Sequence, residues 1–361
     1  IVFLEENYRS TPEILEAANR VIVNNQNQKP KKLWTQNPSG ALPLVAACVH
    51  ERAEAEFIAE EIASLRREEG MSFKDCAVLY RTNAQSRALE EAMIENGIPY
   101  AIVGGIRFFQ RREIKDLAAY LRYLQNKDDL LSLKRIINVP ARGIGPKTFT
   151  AYLNGAAEKL PPKDREKLRG FDDTMAKLLD GMAEKNLAEF IRFLIHTTGY
   201  EAYLRDFSKD GEGRVENIRE LASIARKYDA WPISEAIVAL LEEMALMSAQ
   251  DEMGKNDDRT KLMTLHAAKG LEFPAVFIAG LEEGILPHSK SINGGRQELE
   301  EERRLCYVGM TRAKQKLYLT WALQRTIFGE RQVNMPSRFL RELPPEVLEQ
   351  RGTDDLLVAE E

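Results

Sequence analysis

Cysteine and histidine are scarce in this sequence, and that scarcity narrows the kinds of protein it can encode. Among 361 residues there are three cysteines and four histidines. The cysteines (Cys48, Cys76 and Cys306) are odd in number and scattered through apolar stretches. This pattern is typical of reduced, buried thiols in a cytosolic protein rather than of a disulfide framework. The histidines show no spacing suited to a metal ion, so no metal site is predicted.

Long hydrophobic runs are also missing. No apolar stretch approaches the roughly 20 residues that a membrane-spanning helix requires, and no signal peptide opens the chain, so no membrane partner is expected. Hydrophobic residues make up 44% of the chain and charged residues 30%, which is ordinary for a globular protein of about two domains. The net charge of −5 argues weakly against a nucleic-acid partner, although a local basic groove matters more than the total.

Strand and helix patterns alternate over the first part of the chain and then change. Short apolar runs at 42–49, 76–81 and 98–103 are typical of buried strands, with amphipathic helix patterns between them. After Gly104 and Gly105 the strand pattern stops, helix follows helix, and strands resume at "KLMTLH" (261–266). Alternating strands and helices predict a parallel sheet covered on both faces.

We therefore predict an α/β fold in which one parallel-sheet domain is interrupted by an inserted all-helical domain. The sheet domain would comprise residues 1–104 and 259–345, and the helical domain residues 105–258. The stretch "DEMGKNDDRT" would be the linker that leaves the insert, and residues 346–361 are predicted to be a disordered tail.

The stretch "NYRSTPEIL" places Tyr8 and Arg9 directly ahead of a helix, where Ser10 and Glu13 are spaced as a capping box. A helix N-terminus offers free N–H groups that suit a phosphate, and Arg9 would add a bidentate donor beside it. The alternative is that Arg9 pairs with a neighbouring carboxylate and that Tyr8 packs. The residues alone leave both interpretations open.

Two further stretches carry polar residues next to strand patterns. "TLHAAKGLEF" (264–273) follows a strand, which is the usual place for function in an open α/β sheet, although His266 could simply be a histidine in a turn. "EERRLCYVGMTRAKQ" (301–315) predicts a helix with Arg303 and Arg304 in solvent. Arg312 follows at its last turn, where packing needs no arginine. It could bind a planar anion or tie its helix to a neighbouring acid.

The stretch "ARGIGPKT" is not a phosphate loop of the G-x-x-x-x-G-K-[ST] type, because Pro146 stands where glycine must precede Lys147. We find no other such loop, and no apolar strand ending in Asp-Glu that could hold Mg²⁺. The pattern instead predicts helix, G-h-G turn, helix. Such a hairpin can hold a DNA phosphate through Gly143, Gly145, Lys147 and Thr148, or can be a tight turn between packed helices.

Five ordered motifs together resemble a known family. "NYRST", "AVLYRTNAQSRALEE", "GGIRFFQRREIKD", "TLHAAKGLEF" and "EERRLCYVGMTRAK" stand in the order found in superfamily 1A DNA helicases of the UvrD/Rep/PcrA type. The resemblance covers nearly the whole chain. It implies the carboxyl-terminal half of such a helicase: a RecA-like domain, 2A, interrupted by the helical domain 2B. The chain begins at Ile1 within a strand-like stretch, so we expect the amino-terminal half, with domains 1A and 1B and the Walker motifs, to precede it.

The resemblance implies an ATP site with Mg²⁺, whose ligands are expected on the amino-terminal half. Arg312 and Arg9 resemble the arginines that reach the γ-phosphate, and both would be catalytic. Tyr8 resembles the residue that stacks on adenine, and Glu272 the one that accepts a ribose hydroxyl. On its own, without the Walker motifs, the chain is expected to be inactive.

The resemblance also implies contacts with single-stranded DNA, in addition to duplex DNA. Arg81, Asn83, Thr264 and His266 match positions near the DNA backbone, whereas His288 and Phe328 match positions that meet bases. Phe108 and Phe109 lie near the implied strand path, but we expect them to pack in a core. Movement in the 3′→5′ direction and roles in repair or replication come from the resemblance alone. The alternatives are a non-catalytic DNA-binding module and part of a RecB-type helicase–nuclease.

Overall fold

The computed structural model describes residues 5–27, 33–207, 211–250, 257–327 and 330–352. These residues divide into two compact units. The sheet unit contains the described residues of Ile1–Arg107, Gly254–Thr326 and Arg331–Glu361, and the helical unit those of Phe108–Met253 and Ile327–Glu330. The first boundary therefore falls after Arg107, slightly later than the predicted 104. The predicted linker lies mostly in residues 251–256, outside the described residues.

The strands, in chain order, are β1 (Leu44–His50), β2 (Cys76–Tyr80), β3 (Tyr100–Ile102), β4 (Thr260–Thr264), β5 (Phe273–Ile278), β6 (Ala313–Ile327), β7 (Glu330–Val333) and β8 (Glu349–Arg351). The helices are α1 (Pro12–Ile22), α2 (Glu51–Glu69), α3 (Ser86–Glu95), α4 (Arg112–Gln125), α5 (Leu130–Ile136), α6 (Pro146–Leu153), α7 (Pro162–Met182), α8 (Leu187–Thr198), α9 (Tyr200–Phe207), α10 (Gly211–Ala225), α11 (Ile233–Gln250), α12 (Ser289–Asn293), α13 (Arg296–Met310) and α14 (Arg338–Arg341). Helices α4 to α11 belong to the helical unit.

The sheet has the order β3-β4-β2-β5-β6-β1-β8, and β7 pairs with β6. Every neighbouring pair along that order is parallel. Successive residues of β2 point to opposite faces: Ala77 and Leu79 join the apolar cluster that includes α1 and α13, and Val78 joins the cluster that includes α2 and α3. The predicted α/β fold with a parallel sheet is thus confirmed, and helices pack on both faces.

The helical unit has its own core, to which α4, α5 and α7 to α11 contribute buried side chains, while Phe149 and Tyr152 of α6 are partly buried against it. Phe108 and Phe109 are 1% and 7% exposed and meet edge to face, with ring centroids 5.1 Å apart. The prediction that these two rings pack in a core is therefore confirmed.

Three expectations about local structure were wrong. Ser10 is not the helix cap, because its hydroxyl donates to Ala313 O at 2.6 Å and Thr11 occupies the cap position. Arg303 does not face solvent: it is buried and donates to Glu342 and to Asn25 Oδ1, the latter at 2.6 Å. The tail is not disordered from 346, because Glu349–Arg351 forms β8 beside β1. Residues 353–361 lie outside the described part.

The three cysteines are free and buried, as predicted. Burial raises the pKa of each thiol to about 12. They are therefore protonated at neutral pH and behave as small apolar side chains.

One guanidinium is buried between two carboxylates in the sheet unit. Arg325 of β6 lies between Glu54 of α2 and Glu282, which follows β5, and its Nε donates to Glu282 Oε2 at 2.8 Å. Glu282 also accepts from the amide of Ala322 at 2.7 Å, and Thr320 donates to Glu54 at 2.7 Å. The three charged side chains are each almost fully inaccessible to solvent. Their mutual ion pairs and hydrogen bonds must therefore replace the favourable interactions with water that burial removes.

Replacing Arg325 with methionine is expected to destabilise the chain. The change leaves two buried carboxylates without their cation, and loss of one partner of a buried ion pair costs about 3–5 kcal/mol. Urea unfolding would measure the difference in the free energy of unfolding. Arg331→Met, at an exposed position on β7, is the control and should change little. A loss below about 1 kcal/mol for Arg325→Met would show that the carboxylates are solvated in another way.

Candidate functional site

Three of the predicted nucleotide-site residues meet at the amino ends of β5 and β6. Glu272 directly precedes β5, Arg312 directly precedes β6, and Arg9 precedes α1. Arg9 Nε donates to Glu272 Oε2 at 2.6 Å, and its Nη1 donates to Thr311 O at 3.0 Å. The amide of Thr11 donates to Lys314 O at 3.1 Å, and this bond helps to hold the segment before α1 against the start of β6.

Glu272 is clamped by two cations. Lys314 Nζ lies 2.8 Å from Oε1, opposite the contact that Arg9 makes with Oε2. Hydrogen bonds from Lys314 and then from Arg9 lower the pKa of Glu272 to about 2. Sequence reasoning missed Lys314. It stands two residues after Arg312, at the start of β6, and an extended chain brings side chains two positions apart to the same side.

Arg312 is held by neutral oxygens. Its Nε donates to Val308 O at 3.0 Å, its Nη1 to Leu271 O at 3.2 Å, and its Nη2 to Thr311 Oγ1 at 3.4 Å. Within the described residues no carboxylate forms an ion pair with it. Burial and the nearby charge of Arg9 lower its pKa, so an anion at this point would relieve both unfavourable effects. The alternative that Arg312 ties its helix to an acid finds no support here.

Tyr8 lies beside this group and does not pack. It is 79% exposed, and its hydroxyl donates to Glu6 Oε2 at 2.6 Å. The ring therefore remains accessible to a flat ligand. The alternative interpretation was that Tyr8 packs and that Arg9 pairs with a carboxylate. Only its second part is correct, because Arg9 pairs with Glu272.

The predicted DNA-backbone residues lie at the opposite edge of the sheet. Arg81 and Asn83 follow β2, Thr264 ends β4 and His266 comes just after it, and His288 lies beyond β5. Strands β4, β2 and β5 are neighbours in the sheet, so their carboxyl ends bring these residues to one edge. Phe328 lies outside the described residues.

Glu302 of α13 organises this second group. Its carboxylate accepts from Arg81 Nη2 at 2.8 Å and from Arg81 Nε at 3.0 Å. It also accepts from the His288 amide at 3.0 Å and from the Ser291 hydroxyl at 3.4 Å. Burial disfavours the ionised form of Glu302, but these donors outweigh burial and lower its pKa. Sequence reasoning missed Glu302 because charges on a helix are usually solvated.

His266 and Thr264 have different roles at this edge. Burial and the positive charge of Arg81 lower the pKa of His266 below its ordinary value of 6.5, so its imidazole is neutral at pH 7 and offers hydrogen bonds rather than charge. Thr264 Oγ1 accepts from the amide of Ala267 at 3.3 Å, which shapes the turn that follows β4.

The predicted hairpin of the helical unit joins α5 to α6 through an ordered turn. Asn138 Oδ1 accepts from the amides of Arg142 and Ile144 at 2.8 and 3.1 Å, and Lys167 Nζ donates to Gly143 O at 3.0 Å. Gly143 has φ +69°, a conformation that favours glycine. The turn is therefore built to hold its shape.

The end of this turn is open to solvent. Gly145 caps α6 with an ordinary φ, and a Cβ added there would meet no atom within 4 Å. Lys147 is exposed, whereas Thr148 is buried, so the Thr148 side chain is not available to a ligand. A tight turn and an exposed helix N-terminus are both present. The two alternatives from the sequence, a turn between packed helices and a hairpin that can hold a phosphate, are therefore compatible.

The described residues show neither a cluster of metal ligands nor a membrane-spanning helix. Within them, no group of three or more His, Cys, Asp and Glu side chains is arranged to bind a metal ion. Glu272, the acid nearest Arg312, is already engaged by Lys314 and Arg9, so it fits a contact with a sugar hydroxyl better than a Mg²⁺ ligand. The helices in the same residues include none with the length and apolar character needed to cross a bilayer.

Comparison with known proteins identifies relatives over nearly the whole chain. The family described as "UvrD-like helicase C-terminal domain" matches residues 2–324. "ATP-dependent DNA helicase PcrA" of Staphylococcus aureus (strain MRSA252) is 42% identical, over 98% of this chain and 50% of that protein. The protein of the same name in Bacillus subtilis (strain 168) is 41% identical, over 97% of this chain and 50% of its own length. The chain thus spans about half the length of these relatives.

Solved structures add little. The crystal structure of the C-terminal domain of a possible DNA helicase from Lactobacillus plantarum WCFS1 matches 95% of this chain and 98% of its own, with 13% identity and a TM-score of 0.38. A superposition of that quality supports no conclusion about this chain.

Replacing Lys314 with methionine is expected to raise the pKa of Glu272. Lys314 is the largest cause of its lowering, and the side-chain carboxyl signal in an NMR titration reports the change directly. A carboxyl group whose pKa is lower in the folded state stabilises the fold at pH values above 4.5, its pKa in the unfolded chain. This stabilisation is lost as the pH falls toward 2. Because Glu272 is well exposed, the effect on stability should be small.

The control for this titration is Lys316→Met. Lys316 lies on the same strand but pairs with Glu69, so its loss should leave the titration of Glu272 as it is in the unchanged chain. An equal shift in both variants would mean that general surface charge, rather than the Lys314 contact, sets the pKa.

Proposed function

The chain belongs to the UvrD-like helicase C-terminal domain family, and from this premise we propose that it is the carboxyl-terminal half of an ATP-dependent DNA helicase. The observation that carries the proposal is Arg312, a half-buried guanidinium with only neutral acceptors around it and a second arginine, Arg9, beside it. Two cations held close together, of which only Arg9 forms an ion pair with a carboxylate, suit an anion of high charge, such as the γ-phosphate of ATP.

In the proposed reaction this chain supplies charge rather than covalent chemistry. Arg312 and Arg9 would stabilise the negative charge that builds on the γ-phosphate as water attacks it. The Walker motifs of the amino-terminal half would hold the other phosphates. Mg²⁺, whose ligands we place on that half, would neutralise phosphate oxygens when bound. Tyr8 would stack on adenine with its exposed ring.

Glu272 would change partners when ATP binds. Arg9 is engaged with it at 2.6 Å, so a γ-phosphate would have to draw Arg9 away. Lys314 would keep the carboxylate in place and ionised. Glu272 could then accept a hydrogen bond from a ribose hydroxyl without its charge repelling the phosphates.

For DNA, we propose that the carboxyl edge of the sheet carries a single strand. Arg81, Asn83, Thr264 and His266 would contact its backbone, and His288 would stack on a base, a contact that tolerates any sequence. Phe328 would be a second base contact. Alternate closing and opening of the cleft between 1A and 2A would move the protein along the strand, 3′→5′ by resemblance to the family. We propose the cytoplasm as its setting, with roles in repair or replication.

The helical unit would bind duplex DNA. The exposed helix N-terminus at Gly145 and Lys147, behind a rigid turn, is suited to a phosphate without regard to sequence. Thr148 would contribute only through its backbone. For the chain by itself, the non-catalytic alternative remains: neither the strand edge nor the hairpin needs ATP to bind DNA.

Replacing Arg312 with alanine is expected to abolish most ATP turnover when the chain is joined to a Walker-containing half. An arginine that stabilises the transferring phosphoryl group is worth about 10³–10⁵ in rate, whereas binding of ATP should change far less. Arg312→Lys should recover little, because an ammonium cannot contact two phosphate oxygens in one plane. Steady-state ATPase assays with single-stranded DNA present give both kcat and KM.

The matched control for this assay is Arg304→Ala, on the preceding helix α13 and paired with Glu301 at the surface. It should keep near-normal turnover. An Arg312→Ala protein that melts at the normal temperature and turns over ATP normally would remove Arg312 from the proposed mechanism.

Replacing Gly145 with alanine tests the duplex contact without straining the turn. Its φ is ordinary and the space for a methyl group is open, so the fold should be unaffected while a phosphate is kept off the backbone amides. We expect weaker binding to duplex-tailed DNA, by about 0.5–1.5 kcal/mol per hydrogen bond lost, and unchanged binding to single strands. Gly170→Ala, in α7 with equal open space, is the control. Equal losses on both DNA forms would contradict a duplex-specific contact.

A further inference from the structure

Glu302 is a shared acceptor for two separate segments at the strand edge. Its carboxylate is buried and binds Arg81 after β2, the amide of His288 beyond β5, and Ser291 of α12. Arg81 uses Nε and Nη2 for this contact. Its Nη1 takes part in no hydrogen bond among the described residues, so it can meet a phosphate while the pair with Glu302 persists.

Helix α13, which carries Glu302, also binds Arg9 and Arg312 at its carboxyl end. The carbonyl of Val308 accepts from Arg312, and the carbonyl of Thr311, just after α13, accepts from Arg9. Glu302 and Val308 are six residues apart, which is about 9 Å along a helix. One short rigid element therefore contacts both candidate sites, although those sites lie at opposite edges of the sheet.

α13 packs tightly against the sheet near its carboxyl end. A Cβ added at Gly309 would lie 2.4 Å from Leu265 Cδ2 and 3.1 Å from Ile278 Cδ1, so the helix backbone lies directly on the sheet. Cys306 and Met310 are each 1% exposed on the same side. Close-packed interiors transmit strain, so a restraint at Glu302 would reach the carboxyl end of the helix.

We propose that Glu302 is a positioning residue that transmits occupancy of the strand site along α13 to Arg9 and Arg312. A phosphate on Arg81 would complete a chain of charged hydrogen bonds from DNA through Arg81 to Glu302, and such chains strengthen one another. The restraint on α13 then holds Val308 and Thr311, and with them the two arginines. This inference rests on the proposed function, because it takes the strand to bind at Arg81 and the nucleotide at Arg312.

Hydrogen exchange on the chain itself tests the proposal without ATP. With saturating oligothymidylate, amides of residues 311–313 should exchange about tenfold more slowly, within the range usual for coupled sites. In Glu302→Gln the oligonucleotide should leave their exchange unchanged. Glu301→Gln is the matched control: the neighbouring residue is exposed and pairs with Arg304, and the two variants have the same composition and net charge. It should behave as the unchanged chain does.

If Glu302→Gln melts at a much lower temperature, Glu302→Asp replaces it, because it keeps the negative charge while its shorter side chain withdraws the carboxylate from Arg81 and from the His288 amide. The oligonucleotide should again leave exchange at 311–313 unchanged. The oligonucleotide could instead slow that exchange in either Glu302 variant as much as it does in Glu301→Gln. That result would overturn the inference but not the proposed function. Failure of the unchanged chain to bind oligothymidylate would overturn both.

Discussion

The sheet unit depends on one guanidinium buried between two carboxylates. Arg325 joins β6 to α2 through Glu54 and to the segment after β5 through Glu282. Glu282 also starts the turn that leads to His288, since the amide of Leu286 donates to Glu282 O at 2.9 Å. Unpaired charge is very costly in the interior, so β6, α2 and the segment after β5 must keep the positions that pair these three side chains. The positions of these elements in turn determine where the residues of the candidate strand site lie.

The two candidate sites use opposite ends of the same strands. Glu272 precedes β5 and His288 follows it, so the sites are separated by about 20 Å of a six-residue strand. Direct electrostatic influence over that distance is largely screened at physiological salt. Coupling between the sites would therefore be mechanical, and α13 is one described element whose hydrogen bonds reach both of them.

The sequence was sufficient for the fold but only partly for the sites. Buried-strand runs separated by amphipathic helices require a covered parallel sheet, and that prediction was correct. The family resemblance assigned Arg9 and Glu272 to one nucleotide site but did not predict their ion pair, and no local pattern brings together residues that are 263 positions apart. Glu302 and the burial of Arg303 were missed for a physical reason. A charged residue on a helix is normally solvated, and only a distant partner, such as Glu342 for Arg303, makes its burial favourable.

The strand β8 closes an edge that would otherwise be open. Its three residues, Glu349 to Arg351, pair in parallel with Leu44, Val45 and Ala46 of β1, whose side chains are buried. Without them β1 would present unpaired backbone groups to any extended chain nearby. β8 itself is short, exposed and charged, and such an edge is poorly suited to recruiting a further strand. Protection against self-association of this sheet thus depends on a few residues close to the carboxyl end of the described chain.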